Sequence, residues 1–154
     1  MEPSPSRRTV GCVTAAVGGT IATGGTFLEL VQVTIRVDAH HSVTLHSTYF
    51  ATDRGRLVAV IAFVVFAVAL SGVFRHADDV LRAFFVGLGG VAVLAFSIYD
   101  RSDVTAFVAD RAHAGFGPAL AVCMVGGVII LIGALLTVGY WPRAARLARR
   151  QTSP

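Results

Sequence analysis

The chain has 154 residues, of which 55% are hydrophobic and only 14% charged, and its mean hydropathy is +0.71. Such apolarity exceeds what one small water-soluble domain can bury, so the composition excludes a soluble enzyme and indicates a membrane protein. The formal net charge of +4 comes from 13 basic residues, all Arg, against 9 acids, too small an excess to make nucleic acid a partner. Both cysteines, Cys12 and Cys123, lie in apolar stretches without a CxxC or a neighbouring His, and read as small buried hydrophobes; a disulfide between them stays open.

The first span covers about residues 10–30 and is rich in Gly, Ala and Thr. Gly11, Ala15, Gly19 and Thr23 recur every fourth residue beside a second row of Gly18, Ala22 and Thr26, and small residues so spaced let helix backbones approach closely. The row serves packing inside the bundle, contact with another subunit, or both. A competing reading takes Arg7-Arg8 and Val10 to Ile21 as a signal peptide cleaved near residue 22. Glu29 falls at the outer end of this span, where it is expected to form an ion pair with Arg36, Arg54 or Arg56, or to serve as a proton or substrate site or a subunit contact.

Residues 31–38 alternate apolar and polar, the period of a half-buried strand, and a second strand is expected at 43–50. Pairing Val37 with Val43 places Val31, Val33, Ile35, Val37, Val43, Leu45, Ser47 and Tyr49 on one face of an outer hairpin spanning 31–50. A lone hairpin is marginal in water, so Val33, Ile35, Val37, Val43, Leu45 and Tyr49 are candidate partner contacts. Asp38, His40 and His41 at the tip suggest a metal- or pH-responsive alternative, with His46 too far along the strand to join them.

Leu57 to Phe74 is an uncharged stretch long enough to cross most of a hydrocarbon core. A third span is expected at 80–99, with Arg82 snorkelling, and a fourth at 118–140, opened by Gly117-Pro118 and closed by Tyr140-Trp141. Between them, the outer loop 100–117 reads as a short amphipathic helix with Ser102 as N-cap and Val104, Phe107 and Val108 at helical spacing. The tail 142–154 carries Arg143, Arg146, Arg149 and Arg150, suited to anionic lipid head groups. With both termini cytoplasmic, Arg7, Arg8, Arg75, Arg82 and the four tail arginines lie inside, against Arg36, Arg54, Arg56, Arg101 and Arg111 outside, as the positive-inside rule favours.

The expected fold is therefore an all-α membrane protein, a four-transmembrane-helix bundle in one polytopic domain with an extracytoplasmic β-hairpin between the first two helices. This order of elements resembles the claudin-like tetraspan architecture in outline. Claudins carry a Trp and a Cys pair in the first outer loop, whereas the only Trp here is Trp141 and the loop has no Cys, so no residue roles transfer. The five His, at 40, 41, 46, 76 and 113, all fall in outer or connecting segments, and no catalytic triad or phosphate loop is recognisable. The expectation is a protein with no catalytic residues, cofactor or metal, acting as an accessory or assembly subunit of a larger plasma-membrane complex that transports lipids or other envelope substrates. The alternatives are an autonomous small transporter or channel using Glu29, and a metal or pH sensor at the hairpin tip. Charged substitutions at Ile35 and Leu45 are expected to impair assembly.

Overall fold

A computed structural model describes residues 5–38, 41–74, 79–109 and 114–138. Four helices, α1 (Pro5–Thr26), α2 (Asp53–Phe74), α3 (Asp79–Ala109) and α4 (Ala119–Val138), carry a small sheet of β1 (Glu29–Asp38), β2 (His41–Thr48) and β3 (Ala114–Phe116). The α1–α2 and α3–α4 connections both contribute strands to the sheet, so the sheet lies at one end of the bundle and the last turn of α2 and first turn of α3 at the other. Three helices, α2, α3 and α4, are long and apolar enough to cross a membrane, which makes this a multi-pass membrane protein. Their outer faces expose large apolar side chains, among them Val60, Phe63, Phe84, Leu88, Val125 and Leu135, an arrangement stable against acyl chains rather than water.

The bundle is closed by backbone proximity as much as by side-chain volume. A Cβ on Gly18 would lie 2.8 Å from the carbonyl oxygen of Gly126, and one on Gly126 would lie 2.8 Å from that of Gly18. Gly11 and Gly133 oppose one another in the same reciprocal way, so α1 and α4 touch backbone to backbone at two levels. The seam towards α4 thus runs through Gly11, Ala15, Gly18, Ala22 and Gly25, a spacing of about 3.5 residues, and not along the expected every-fourth row. Each four-residue step turns about 40° past a full turn. Gly19 therefore meets Ala62 and Phe66 on α2, and Thr23 is left half-buried, its hydroxyl donating to the carbonyl of Gly19 at 2.8 Å. Gly11, Ala15 and Gly19 are consumed inside the bundle, which corrects their reading as contacts with another subunit; Thr9, Val10, Val13, Val17, Thr20 and Gly24 are exposed positions of α1. Two buried clusters fill the interior. Tyr49, Val58, Val93 and Cys123 lie near the sheet, and Ala15, Val65, Val86 and Ile130 lie deeper. Cys12 and Cys123 are both buried and not joined by a disulfide.

Helix ends differ from the expected spans where local chemistry decides. After Gly24 and Gly25 the chain turns through Phe27 and Leu28, whose amides donate to the carbonyls of Gly24 and Gly25, and Glu29 begins a strand instead of ending a helix. Thr52 caps α2, its hydroxyl accepting the Gly55 amide at 2.9 Å, so this helix starts at Asp53, four residues before the uncharged run. Gly55 is required there because any Cβ would run into the carbonyl of Tyr49. The largest departure is α3, whose 31 residues, about 46 Å, pass straight through Asp100 to Ala109. Ser102, expected as an N-cap, instead lies mid-helix and donates to the carbonyl of Tyr99 at 2.6 Å, so the separate loop helix is corrected to the last turns of α3.

The sheet order is β2-β1-β3, all antiparallel. Val43 pairs with Ile35 rather than with Val37, and Leu45 with Val33; a bulge between Arg36 and Asp38 absorbs the extra residue. The two-residue shift preserves parity, so the expected alternation holds although the register does not. The third strand was not expected. Val31, Gln32 and Val33 pair with Phe116, Gly115 and Ala114, and the Gly117 amide donates to the carbonyl of Leu30 at 2.9 Å.

Candidate functional site

The polar chemistry among the described residues is concentrated where the sheet meets the bundle. Asp100 lies about 32 Å along α3 from its first residue, at the far edge of a hydrocarbon core roughly 30 Å thick, and is buried. A carboxylate there requires partners, and it has two. The hydroxyl of Tyr49, in the 3-10 turn Tyr49–Ala51 after β2, donates to its Oδ2, and Arg54 Nη1 donates to its Oδ1 at 2.8 Å. Arg54 also reaches Asp103 Oδ2 at 2.8 Å, one helical turn further on, and its guanidinium stands 4.8 Å from the centre of the Tyr99 ring. Burial, and then the hydrogen bond to Asp100, push the Tyr49 phenol well above the usual tyrosine range, so it remains a proton donor at all ordinary pH values.

Three segments meet in this cluster. Tyr49 is held from the strand side, its amide donating to the carbonyl of Leu28 at 3.2 Å and its carbonyl accepting from Thr52. Arg54 belongs to the first turn of α2, and Asp100 and Asp103 to the outer part of α3. The arrangement is a clamp that fixes the sheet to two helices, with both carboxylate oxygens of the buried Asp100 engaged by other side chains. It offers no nucleophile beside a base, and no group of three metal-ligating side chains occurs among the described residues. Phe27 and Phe50 stack at 4.7 Å on the outside of the same junction, both partly exposed, an aromatic pair at interfacial depth.

The residues singled out by sequence distribute unevenly around this clamp. Tyr49 is only 1% exposed, which corrects its reading as a partner contact. The pattern assigned it to the hairpin face, but the strand ends at Thr48 and the following turn rotates the ring into the bundle. Glu29 opens β1 and pairs with His46 Nδ1 on β2 at 2.7 Å, so its expected arginine partners are replaced by a cross-strand histidine, both side chains reaching solvent. Arg54 is engaged by Asp100 and Asp103, and Arg56 by Asp53. Val33 is half-buried, and Val43 and Leu45 on β2 are 49% and 55% exposed. The side chains of Ile35, Val37, Asp38 and His41, residue His40, and the tail arginines Arg143, Arg146, Arg149 and Arg150 lie outside the described residues.

Asp100 was missed because it follows an apolar run and reads as the first residue of a loop. The available signal was a matched pair, Arg54 before one span and Asp100 after its antiparallel neighbour, opposite charges at the same depth. No protein-family model matches the chain, and no curated protein matches it in sequence.

Proposed function

We propose that this protein is a non-catalytic accessory or assembly subunit of a larger plasma-membrane complex, in the context of transport of lipids or other envelope substrates. The observation that carries the reading is the β2 edge. Among the described residues this strand pairs on one side only, with β1, and presents Val43 and Leu45 exposed on a sheet that the Tyr49–Asp100–Arg54 clamp ties to the bundle. An open, apolar, pre-ordered edge suits addition of a partner's extracytoplasmic strand, because the ordering cost has been met before binding. The helical interior supports the same reading. Among the described residues it is tightly meshed by glycines, and its buried polar side chains are engaged by nearby carbonyls or by the clamp, as suits a packed scaffold.

In this reading α1 is a retained fourth span, since its 22 residues cover about 33 Å and it lies along α4. The α1 start, the α2–α3 connection and the α4 end face the cytoplasm, where the arginine excess is, and the sheet faces outward. The test is purification of the tagged full chain from its native membrane in gentle detergent, with native mass determination. A stoichiometric larger partner that is lost on Val43→Asp and Leu45→Asp, while both variants keep the wild-type melting temperature, is the expected result. Recovery of a homogeneous particle containing only this chain, unchanged by either substitution, would refute the accessory role.

A further inference from the structure

The sheet ends in two outer strands, and they differ in how they meet a passing chain. β3 is three residues long, too short to template a further strand, whereas β2 runs for eight, His41–Thr48. Its pairing with β1 is unbroken from Ser42 to Ser47, because both irregularities of the ladder, between Glu29 and Val31 and between Arg36 and Asp38, fall outside that stretch. β2 contains no Pro and none of Asp, Glu, Lys or Arg, the residues with which natural edges turn a passing strand away.

What this edge accepts is shown by the strand it already holds. β1 lies antiparallel to β2 and sets Val33 opposite Leu45, Thr34 opposite Thr44 and Ile35 opposite Val43, one apolar–hydroxyl–apolar triplet against another. The two threonine hydroxyls stand 3.3 Å apart on the polar face, while Val43 and Leu45 on the other face stay 49% and 55% exposed with β1 in place. An antiparallel strand on the outer side sets residues two apart opposite Val43 and Leu45, and the residue between them opposite Thr44. Apolar side chains at the first two positions widen the apolar face, and a hydroxyl at the third continues the threonine pair. A charge at any of the three would lose water with no opposite charge on β2 to replace it. At His46, Nδ1 is taken by Glu29 at 2.7 Å and Nε2 makes no hydrogen bond among the described residues, which suits a second hydroxyl two positions along the added strand. We infer that β2 takes an uncharged extended segment of an extracytoplasmic partner, antiparallel to it and matched to Ser42–Ser47, in which apolar residues alternate with Ser or Thr and a hydroxyl lies opposite Thr44. The inference rests on the reading of β2 as a partner edge and adds the chemistry of the strand that fills it.

The test is amide hydrogen exchange of the full chain in phosphatidylcholine nanodiscs, read by mass spectrometry on fragments covering β2. The probe is a terminally blocked peptide, Thr-Val-Thr-Ile-Thr-Val, built on the triplet of β1; the comparison peptide carries Asp in place of Ile. With the first peptide at saturation, the β2 amides that do not bond to β1 should exchange about ten-fold more slowly, and with the second they should be unchanged. Val43→Thr and Leu45→Thr, which keep a strand-forming residue and add no charge, should each weaken the first peptide about two- to five-fold. Equal slowing by both peptides, or by neither, would overturn the strand chemistry; loss of a co-purified partner on Val43→Asp would in that case leave the accessory role standing. Slowing by the first peptide alone, in a chain that purifies without any partner, would support the strand chemistry and remove the accessory role. Slow exchange of β2 without peptide that becomes fast when each nanodisc holds one copy would show a second copy on the edge and overturn the inference.

Discussion

If α1 is seated against α4 through bare backbone, then two glycine-to-alanine substitutions of identical chemistry must act with opposite sign. At Gly24 the new methyl meets nothing within 4 Å, and the helix gains only propensity, about 0.8–1 kcal/mol. At Gly126 the same gain is opposed by three atoms, the amide nitrogen of Ala22 at 2.6 Å and its Cβ and the Gly18 carbonyl oxygen at 2.8 Å. Ordinary contact begins near 3.4 Å, so α1 must retreat by about 0.8 Å, a gap that forfeits roughly a quarter to a half of each contact it opens. Overpacking of this kind costs about 1–3 kcal/mol; because two of the three atoms are backbone, the upper half of that range applies and the net loss is about 1–2 kcal/mol. The two variants should then differ by about 2–3 kcal/mol, or about 4–12 °C in melting temperature for a chain of this length. Thermal unfolding in one mild detergent, followed by circular dichroism, reads the difference directly. A Gly126→Ala protein as stable as Gly24→Ala would refute the seating of α1 on α4.

The clamp supplies three further expectations. Tyr49→Phe removes a hydrogen bond to a buried carboxylate and should cost about 1.5–3 kcal/mol, checked by chemical or thermal unfolding near neutral pH. The same residue sets an alkaline limit. Its phenol is raised in the folded state, so the stabilisation is complete below the ordinary tyrosine value of about 10 and is lost as pH rises beyond it; the wild type should melt progressively earlier above that value, and Tyr49→Phe should show a shallower decline. Arg54→Gln should lower the melting temperature in the wild type and do so less in an Asp100→Asn background, because the two share the Arg54–Asp100 contact while those of Arg54 with Asp103 and Tyr99 remain; strictly additive effects would mean that Arg54 acts only through the latter. Glu29→Gln should cost less than about 1 kcal/mol, since the His46 pair is solvent-accessible, and should leave any transport by reconstituted protein unchanged if Glu29 is only a cross-strand partner.

Long uniform runs of apolar residues were legible at once, because a span needs only length and hydrophobicity, and both are properties of contiguous sequence. Strand alternation at 31–38 was equally plain, as was the face it creates, since parity is local. Of the two-residue difference in register, one residue is already present where Asp38 pairs with His41, and the other arises at the bulge between Arg36 and Asp38, which no alternation announces. The short β3 had no pattern of its own, since Ala114, Gly115 and Phe116 become a strand only because β1 offers an edge. The continuation of α3 through Asp100, Arg101, Ser102 and Asp103 was hidden by its charges, which read as a loop after an apolar run but extend a helix that has left the hydrocarbon.

Small residues in α1 announced close packing by themselves, because only Gly, Ala and Thr leave room for backbones to meet. Which helix each would meet was decided in three dimensions, since a 3.6-residue turn carries Gly18 to α4 and Gly19 to α2. In the same way membrane residence follows from composition, whereas the pairing of Asp100 with Tyr49 and Arg54 exists only once α2, α3 and the strand end converge at one depth. Hydropathy is additive along a chain and can be read there; a buried charge is stable only through partners that lie 51 and 46 residues away in sequence.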